Sequence, residues 1–263
     1  MLRFSDANTK LKGLYKVEAL AEWLKFGRWD RKAKVYSFDL LSGWSCPFAK
    51  DCKSKVYETG KLTEKGNKQT YLRDGKDTIF RCFSASQEVL LPNVYNKRKA
   101  NYDALRGAES QLELQRMLGQ ALPIDAGIVR IHVGGDFFNR DYMLAWATIA
   151  EANPNTLFYA YTKSLRWWVE LREYIDGLDN FVLTASRGGS EDHLIKEHGL
   201  REAVVVYSEE QADMLGLEID HDDSHAALNG GDFALLIHGT QPKGSEAGKA
   251  VRELKGVGSY GRK

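Results

Sequence analysis

"IVRIHVGGDFFNRDYMLAWATIAEANPNTLFYAYT", residues 128–162, holds the unit that decides the fold. Residues 128–133 are rich in β-branched side chains and read as a buried strand, and the Gly-Gly-Asp after them as a tight turn. A helix follows, opened by Asn139 as N-cap and closed before Pro154. A second apolar run, 156–162, reads as the next strand. Strand, turn, helix and strand in this order predict a parallel sheet wrapped by helices, because parallel neighbours need a long crossover between them.

The same unit recurs on both sides. Further candidate strands are 34–41, 78–83, 180–186, 203–208, a weak 217–220 and 233–239. Between them lies a helical stretch from about Val94 to Leu118, with Pro123 beyond it as a stop. Ser164 opens "SLRWWVELREYI", Ser190 opens "SEDHLIKEHG" with Gly199 as its end, and Ser208 and Gly216 bracket "SEEQADMLG". The expected fold is α/β: a TIM-barrel-like parallel barrel, full or partial, forming one domain over 1–263. The polar, aperiodic stretch 54–76 is expected as an insertion or hairpin between the first two strands. The glycine- and lysine-rich 242–263 is expected as a loosely ordered tail.

A formal net charge of +1, from 37 Lys+Arg against 36 Asp+Glu, excludes a globally basic nucleic-acid binder but leaves room for a local patch. No apolar run approaches the roughly 20 residues of a membrane span. The first residues lack a signal peptide's apolar core. A cytoplasmic protein with no membrane partner is the expectation.

In parallel α/β folds chemistry gathers at the carboxyl ends of the strands. The chain's only three cysteines, Cys46, Cys52 and Cys82, all fall on that face if strands 34–41 and 78–83 are neighbours. An odd, small number of cysteines in a reducing compartment does not build a disulfide framework. Buried small hydrophobes are one reading, but Pro47, Lys50 and Asp51 make the Cys46–Cys52 loop polar. Metal ligation is the other. Three thiolates suit a [4Fe–4S] cluster with one open iron, or zinc with a fourth ligand such as His132, His225 or His238.

Other strand-end groups offer cofactor contacts. Gly134 and Gly135 allow a backbone to approach a ligand closely, and Asp136 can take a ligand amine, though a plain tight turn has the same sequence. Arg187, before Gly188 and Gly189, suits a carboxylate or phosphate, or else an acidic partner within a strand-end network; Lys163 is open to the same two readings. "DHDDSH", Asp220 to His225, is either a divalent-ion site or a solvated acidic loop. "YNKRKANYDALR" places Lys97, Arg98, Lys99 and Arg106 with Tyr95 and Tyr102 on one helix, as a phosphate-contacting face or a solvated one. Trp167 and Trp168 are assigned to packing, and because they point to different helix faces one of them can be exposed to a partner.

The cysteine loop with "FRCFSASQE", "RIHVGGDFFNRDY", "FYAYTKS", "NFVLTASRGG" and "LEIDHDDSHA" resembles the bacteriophage gene product 88 family over about Tyr36 to Gln241. That resemblance implies a viral origin and the cytoplasm of an infected host cell, with no reaction attached. More distantly, a cysteine cluster after the first strand and a Gly-Gly-acid turn after a later one resemble the radical S-adenosylmethionine enzymes. This second resemblance implies Cys46, Cys52 and Cys82 as cluster ligands, Gly134, Gly135 and Asp136 at the cofactor amine and Arg187 at its carboxylate. The chain departs from that superfamily's C-x3-C-x2-C spacing and has Asp in place of Glu.

Three functions are therefore expected in turn. The first is an iron–sulfur enzyme acting on a small molecule, nucleotide, nucleic acid or protein at the strand ends. The second is a non-catalytic iron–sulfur protein that binds nucleic acid or a host factor. The third is a zinc-stabilised, metal-dependent hydrolase using Asp136, Asp220, Asp222, Asp223 and His225.

Overall fold

In a computed structural model, residues 1–26, 31–228 and 230–254 are described. The strands are β1 (Phe4–Asp6), β2 (Lys34–Phe38), β3 (Ser54–Leu62), β4 (Lys68–Asp74), β5 (Ala126–Ile131), β6 (Leu157–Thr162), β7 (Phe181–Ser186), β8 (Glu202–Val206), β9 (Glu218–Ile219) and β10 (Phe233–Leu236). The α-helices are α1 (Phe83–Leu90), α2 (Pro92–Arg106), α3 (Gln111–Ala121), α4 (Arg140–Glu151), α5 (Leu165–Glu170), α6 (Arg172–Ile175), α7 (His193–His198), α8 (Glu209–Leu215), α9 (Ser224–Ala227) and α10 (Glu246–Glu253).

Eight strands form one sheet in the order β1-β2-β5-β6-β7-β8-β10-β9, and β3 pairs with β4 in a separate hairpin. All neighbours in the large sheet run parallel except β1, which is antiparallel to β2. The parallel α/β expectation therefore holds. A closed barrel is not formed: β1 covers the outer edge of β2, and the two-residue β9 ends the other side.

Residues 78–83, expected as the second strand, do not join the sheet. Their amides are taken elsewhere: Ile79 and Phe80 donate to the Asp51 carbonyl at 2.7 and 3.1 Å, and Arg81 to Gln241 Oε1 at 2.7 Å. Cys82 then stands as the N-terminal flank of α1. The polar stretch 54–76 is the β3–β4 hairpin. In the segment expected as a loose tail, Glu246–Glu253 form α10, capped by Ser245, while residues 255–263 lie outside the described residues.

Capping chemistry sets the helix starts. Asn139 accepts the Tyr142 amide at 2.8 Å, and Ser208 accepts that of Gln211 at 3.2 Å. Gly199 and Gly216 end α7 and α8 in the left-handed conformation. The single helix expected over 94–118 is two, because α2 stops at Gly107 and Ser110 caps a new one. Ser190 does not cap α7; Asp192 flanks it instead, its carboxylate accepting the Gly188 and Gly189 amides at 2.8 and 2.9 Å.

Both faces of the sheet are apolar, so the strands read as nearly continuous hydrophobic runs. Val129, Ile131, Phe158, Ala160 and Leu183 face a core built with α3 and α4. Ile128, Leu157, Tyr159 and Val182 face a second core, with Leu11, Leu14, Leu20 and Phe233. The first core centres on Trp146, fully buried with its ring 5.4 Å from Phe38 and 6.0 Å from Phe158. Among the described residues no helix is long and apolar enough to cross a membrane. Trp146→Ala is expected to cost about 3–5 kcal/mol, read as a lower denaturant midpoint at unchanged slope.

Candidate metal and cofactor site

A cavity of about 440 Å³ opens at the carboxyl ends of the central strands. Cys46, Cys52 and Cys82 all line it, together with Gly134, Gly135, Asp136 and Lys163. The cysteines meet there by a route other than neighbouring strands. Cys46 and Cys52 bracket the loop after β2, and Cys82 comes from the start of α1.

Specific contacts at the end of β5 gather these segments. At Gly134 a Cβ would lie 2.2 Å from Ser84 Oγ and 2.8 Å from the Arg98 guanidinium carbon. At Gly135, where φ is +96°, it would meet Ser45 Oγ at 2.6 Å and Leu40 Cβ at 2.7 Å. The glycine pair thus admits the residue before Cys46 on one side and the first turn of α1 on the other. The Asp39 carboxylate accepts the Val133 and Gly134 amides at 2.7 and 3.2 Å, tying the end of β2 to that of β5. Farther along, Lys50 and Asp51 donate to the Gly188 carbonyl at 3.2 and 3.0 Å, which holds the Cys52 end against β7. Cys82 donates its amide to Ser54 Oγ at 3.2 Å.

The thiols repel one another's ionisation. Burial first, then the nearby Asp136 carboxylate and the other two sulfurs, raises the Cys46 thiol well above its ordinary value. Its sulfur accepts the Gly43 amide at 3.3 Å, which offsets part of this. Cys82 is pushed up to about 12, by burial and then by Cys52, against the lowering effect of the Ala85 and Ser84 amides. Among the described residues no group of three or more His, Cys, Asp or Glu is arranged to hold a metal ion.

Asp136 is engaged by the protein. One oxygen accepts from Thr162 Oγ1 and the Phe137 amide, both at 2.7 Å, and the other from the Lys163 amide at 2.8 Å. Burial nevertheless pushes its carboxyl up to about 6. Lys163 Nζ donates to Ser186 Oγ at 2.6 Å and to the carbonyls of Ser186 and Arg187 at 2.8 and 3.1 Å. Arg187 lies outside the cavity lining; it holds Glu202 through two hydrogen bonds of 2.5 and 2.7 Å.

The acidic loop is a hub inside the protein. Asp223, fully buried, accepts from Arg130, from Lys10 at 2.6 Å and from the Tyr159 hydroxyl at 3.0 Å. Burial would raise its carboxyl, but Arg130 and Lys10 outweigh that and hold it at about 2. Asp220 accepts from the Tyr161 hydroxyl at 3.3 Å, while His225 lies 2.9 Å from Glu218 and outside the cavity lining. His132 and His238 do line it; burial lowers them to about 3 and about 4, so both are neutral imidazoles. His132 Nε2 meets the Tyr142 hydroxyl at 3.0 Å, and its buried Nδ1 has no protein partner.

The basic helix is used internally. Arg98 is buried against Glu88, Lys97 reaches Ser5, Lys99 pairs with Asp103, and Arg106 lies 5.7 Å over the Phe138 ring. Trp168 is buried, and Trp167 packs on Phe48 of the cysteine loop at 5.0 Å. Lys10 and Arg130 are residues of this region that sequence reasoning missed; the signal for Arg130 is a charge within an otherwise apolar buried strand.

The family model described as gene product 88 matches residues 2–254. The chain belongs to the gene product 88 family. For this family member, no curated protein and no solved structure matches, so the resemblance to radical S-adenosylmethionine enzymes gains no support from relatives.

Two outcomes follow. Because Asp223 is held below its unfolded value, the stability it contributes is complete above about pH 4 and is lost as pH falls towards 2. Asp223→Asn, which leaves Arg130 and Lys10 buried without their counter-charge, should cost about 3–5 kcal/mol at pH 7 in denaturant titrations and flatten the acid limb. Iodoacetamide at pH 7.5 should label Cys46 and Cys82 roughly tenfold or more slowly than an unfolded control, accelerating with pH, by peptide mass spectrometry.

Proposed function

We propose that Cys46, Cys52 and Cys82 hold a [4Fe–4S] cluster at the rim of the cavity, with one iron left open for a small molecule. The observation that carries this reading is placement. The chain's only three thiols come from two separate segments and line one cavity of about 440 Å³, a size suited to a cofactor or small substrate.

The donor set fits. Three sulfurs are soft ligands that favour iron–sulfur clusters or zinc over hard cations. Burial, and after it the repulsion from neighbouring negative groups, raises the Cys46 and Cys82 thiols; a cationic core would relieve the repulsion, and ligation must displace their protons. When bound, such a cluster supplies an electron and an open coordination position.

The chain's own groups prepare the surroundings. Amides of Gly43, Ser84 and Ala85 direct partial positive charge at Cys46 and Cys82. Asp136 fixes the β5 and β6 ends to one another through Thr162 and Lys163. Lys163 holds a positive charge on the cavity wall, and neutral His132 and His238 add polar edges without further charge. S-adenosylmethionine is the first small molecule we would test there, with Gly134, Gly135, Asp136 and Lys163 as its wall.

One observation favours zinc instead: the unpartnered Nδ1 of His132 in the same cavity offers a fourth ligand type. The engagement of Asp136, Asp220 and Asp223 by protein donors leaves the acidic-loop hydrolase without comparable support.

Anaerobic purification with iron, sulfide and zinc analysis is the test. A brown protein with about four irons and four sulfides per chain, bleached by dithionite, is expected. Cys46→Ala, Cys52→Ala and Cys82→Ala should each lose most of the cluster, and retention should decline from pH 8 to pH 6 as the thiols regain protons. A colourless protein with one zinc would replace this reading with the zinc site. A spectral change on adding S-adenosylmethionine would identify it as a ligand of the open iron.

A further inference from the structure

The β3–β4 hairpin has two chemically distinct faces. In its register Lys55 pairs with Arg73 and Tyr57 with Tyr71, while Val56 pairs with Leu72 on the opposite face. Val56 and Leu72 pack into a small core with Leu41, Ala85 and Tyr95. The period-two alternation of a strand therefore turns Lys55, Tyr57, Tyr71 and Arg73 away from the protein body.

On that outer face three rings form a continuous aromatic row. Tyr57 and Tyr71 are stacked with centroids 5.5 Å apart and planes 20° apart, and Trp44 of the cysteine loop meets Tyr57 edge-on at 5.1 Å. Trp44 stays 39% exposed and Tyr71 42%. Cations flank the row: Lys55 Nζ lies 4.4 Å from the Trp44 ring, and the Arg73 guanidinium 5.8 Å from that of Tyr57. The Trp44 indole donates to the Val56 carbonyl at 2.9 Å, which fixes its ring beside the hairpin.

Charge is concentrated in the same place. Residues 53–76 contain seven Lys or Arg against three Asp or Glu, a net +4 in a chain whose total is only +1. The rest of the chain sums to a net −3, so the hairpin is where positive charge is in excess for an anionic polymer.

We propose that this outer face binds single-stranded nucleic acid, with bases stacking on Tyr71 and Trp44 and phosphates meeting Lys55, Arg73 and their lysine neighbours. Aromatic platforms interleaved with cations accept unpaired bases irrespective of sequence, because every base presents a π-face. A duplex hides those faces within its own stack and leaves the rings without a partner. The proposal stands on the hairpin alone and is independent of what the cysteines hold.

Fluorescence anisotropy of labelled 20-nucleotide oligothymidine, oligouridine and a duplex of equal length, titrated with the full chain, tests it. Single strands should bind, with log affinity falling linearly as log salt rises. Tyr71→Ala should weaken binding about tenfold and Tyr71→Phe should restore it, as stacking requires. Arg73→Ala should flatten the salt slope by about 0.7, the change expected when one phosphate is no longer neutralised. The two single strands together tell DNA from RNA as the preferred source. No binding at about 50 mM salt, or binding unaffected by both Tyr71→Ala and Arg73→Ala, overturns the proposal. So does a duplex bound as tightly as either single strand. Because Tyr71 and Arg73 are solvent-exposed, unchanged circular dichroism in the variants is expected and separates impaired binding from impaired folding.

Discussion

Residue 135 has no room for a side chain and one at residue 134 would have to push Ser84 and Arg98 aside, and the mouth of the cavity is organised around that constraint. A side chain at either position would collide with Ser84, Arg98, Ser45 or Leu40. With both positions bare, the loop carrying Cys46 and the helix start carrying Cys82 press against the same strand end. Asp39 and Asp136 complete the arrangement by accepting amides of the turn between β5 and α4, the first from β2's end and the second from within the turn itself. The thiols face one space because these backbones can touch.

Electrostatics divides that space. On the sulfur side burial and mutual repulsion raise the Cys46 and Cys82 thiols, so the region carries little negative charge. Toward Asp223 the charges are already paired, Arg130 and Lys10 with one buried carboxylate. A buried ion pair of this kind resists the loss of either partner and leaves little incentive for a divalent ion to enter. The polar groups left for other chemistry at the cavity therefore include the sulfurs and the Nδ1 of His132. The exposed hairpin lies just beyond, joined to the same loop through Trp44.

Much of the architecture was legible because local rules and tertiary context agree. Asn139, Ser208, Gly199 and Gly216 cap the helices they were expected to cap, and the strands from 128 to 208 appear where the apolar runs lie. Residues 78–83 were misread because "TIFRCF" has the alternation and residue types of a strand, yet its amides found Asp51 and Gln241 before any sheet neighbour. The sheet stays open, with a short antiparallel β1 along the edge of β2 and β9 at the other side. Arg187 illustrates a further limit. Its sequence context suits an anion, but Glu202 on the adjacent strand supplies one within the protein.

The sequence by itself determined the parallel α/β class and most of the helix boundaries, because periodicity, caps and turn residues act over a few neighbouring positions. Only the tertiary structure decided that the sheet stays open, that Asp136, Arg187 and the basic helix are held by internal partners, and that the rings of Trp44, Tyr57 and Tyr71 form one exposed row. Those outcomes depend on which distant groups meet, and hydrogen bonds and ion pairs across tens to hundreds of residues leave no periodic trace along the chain.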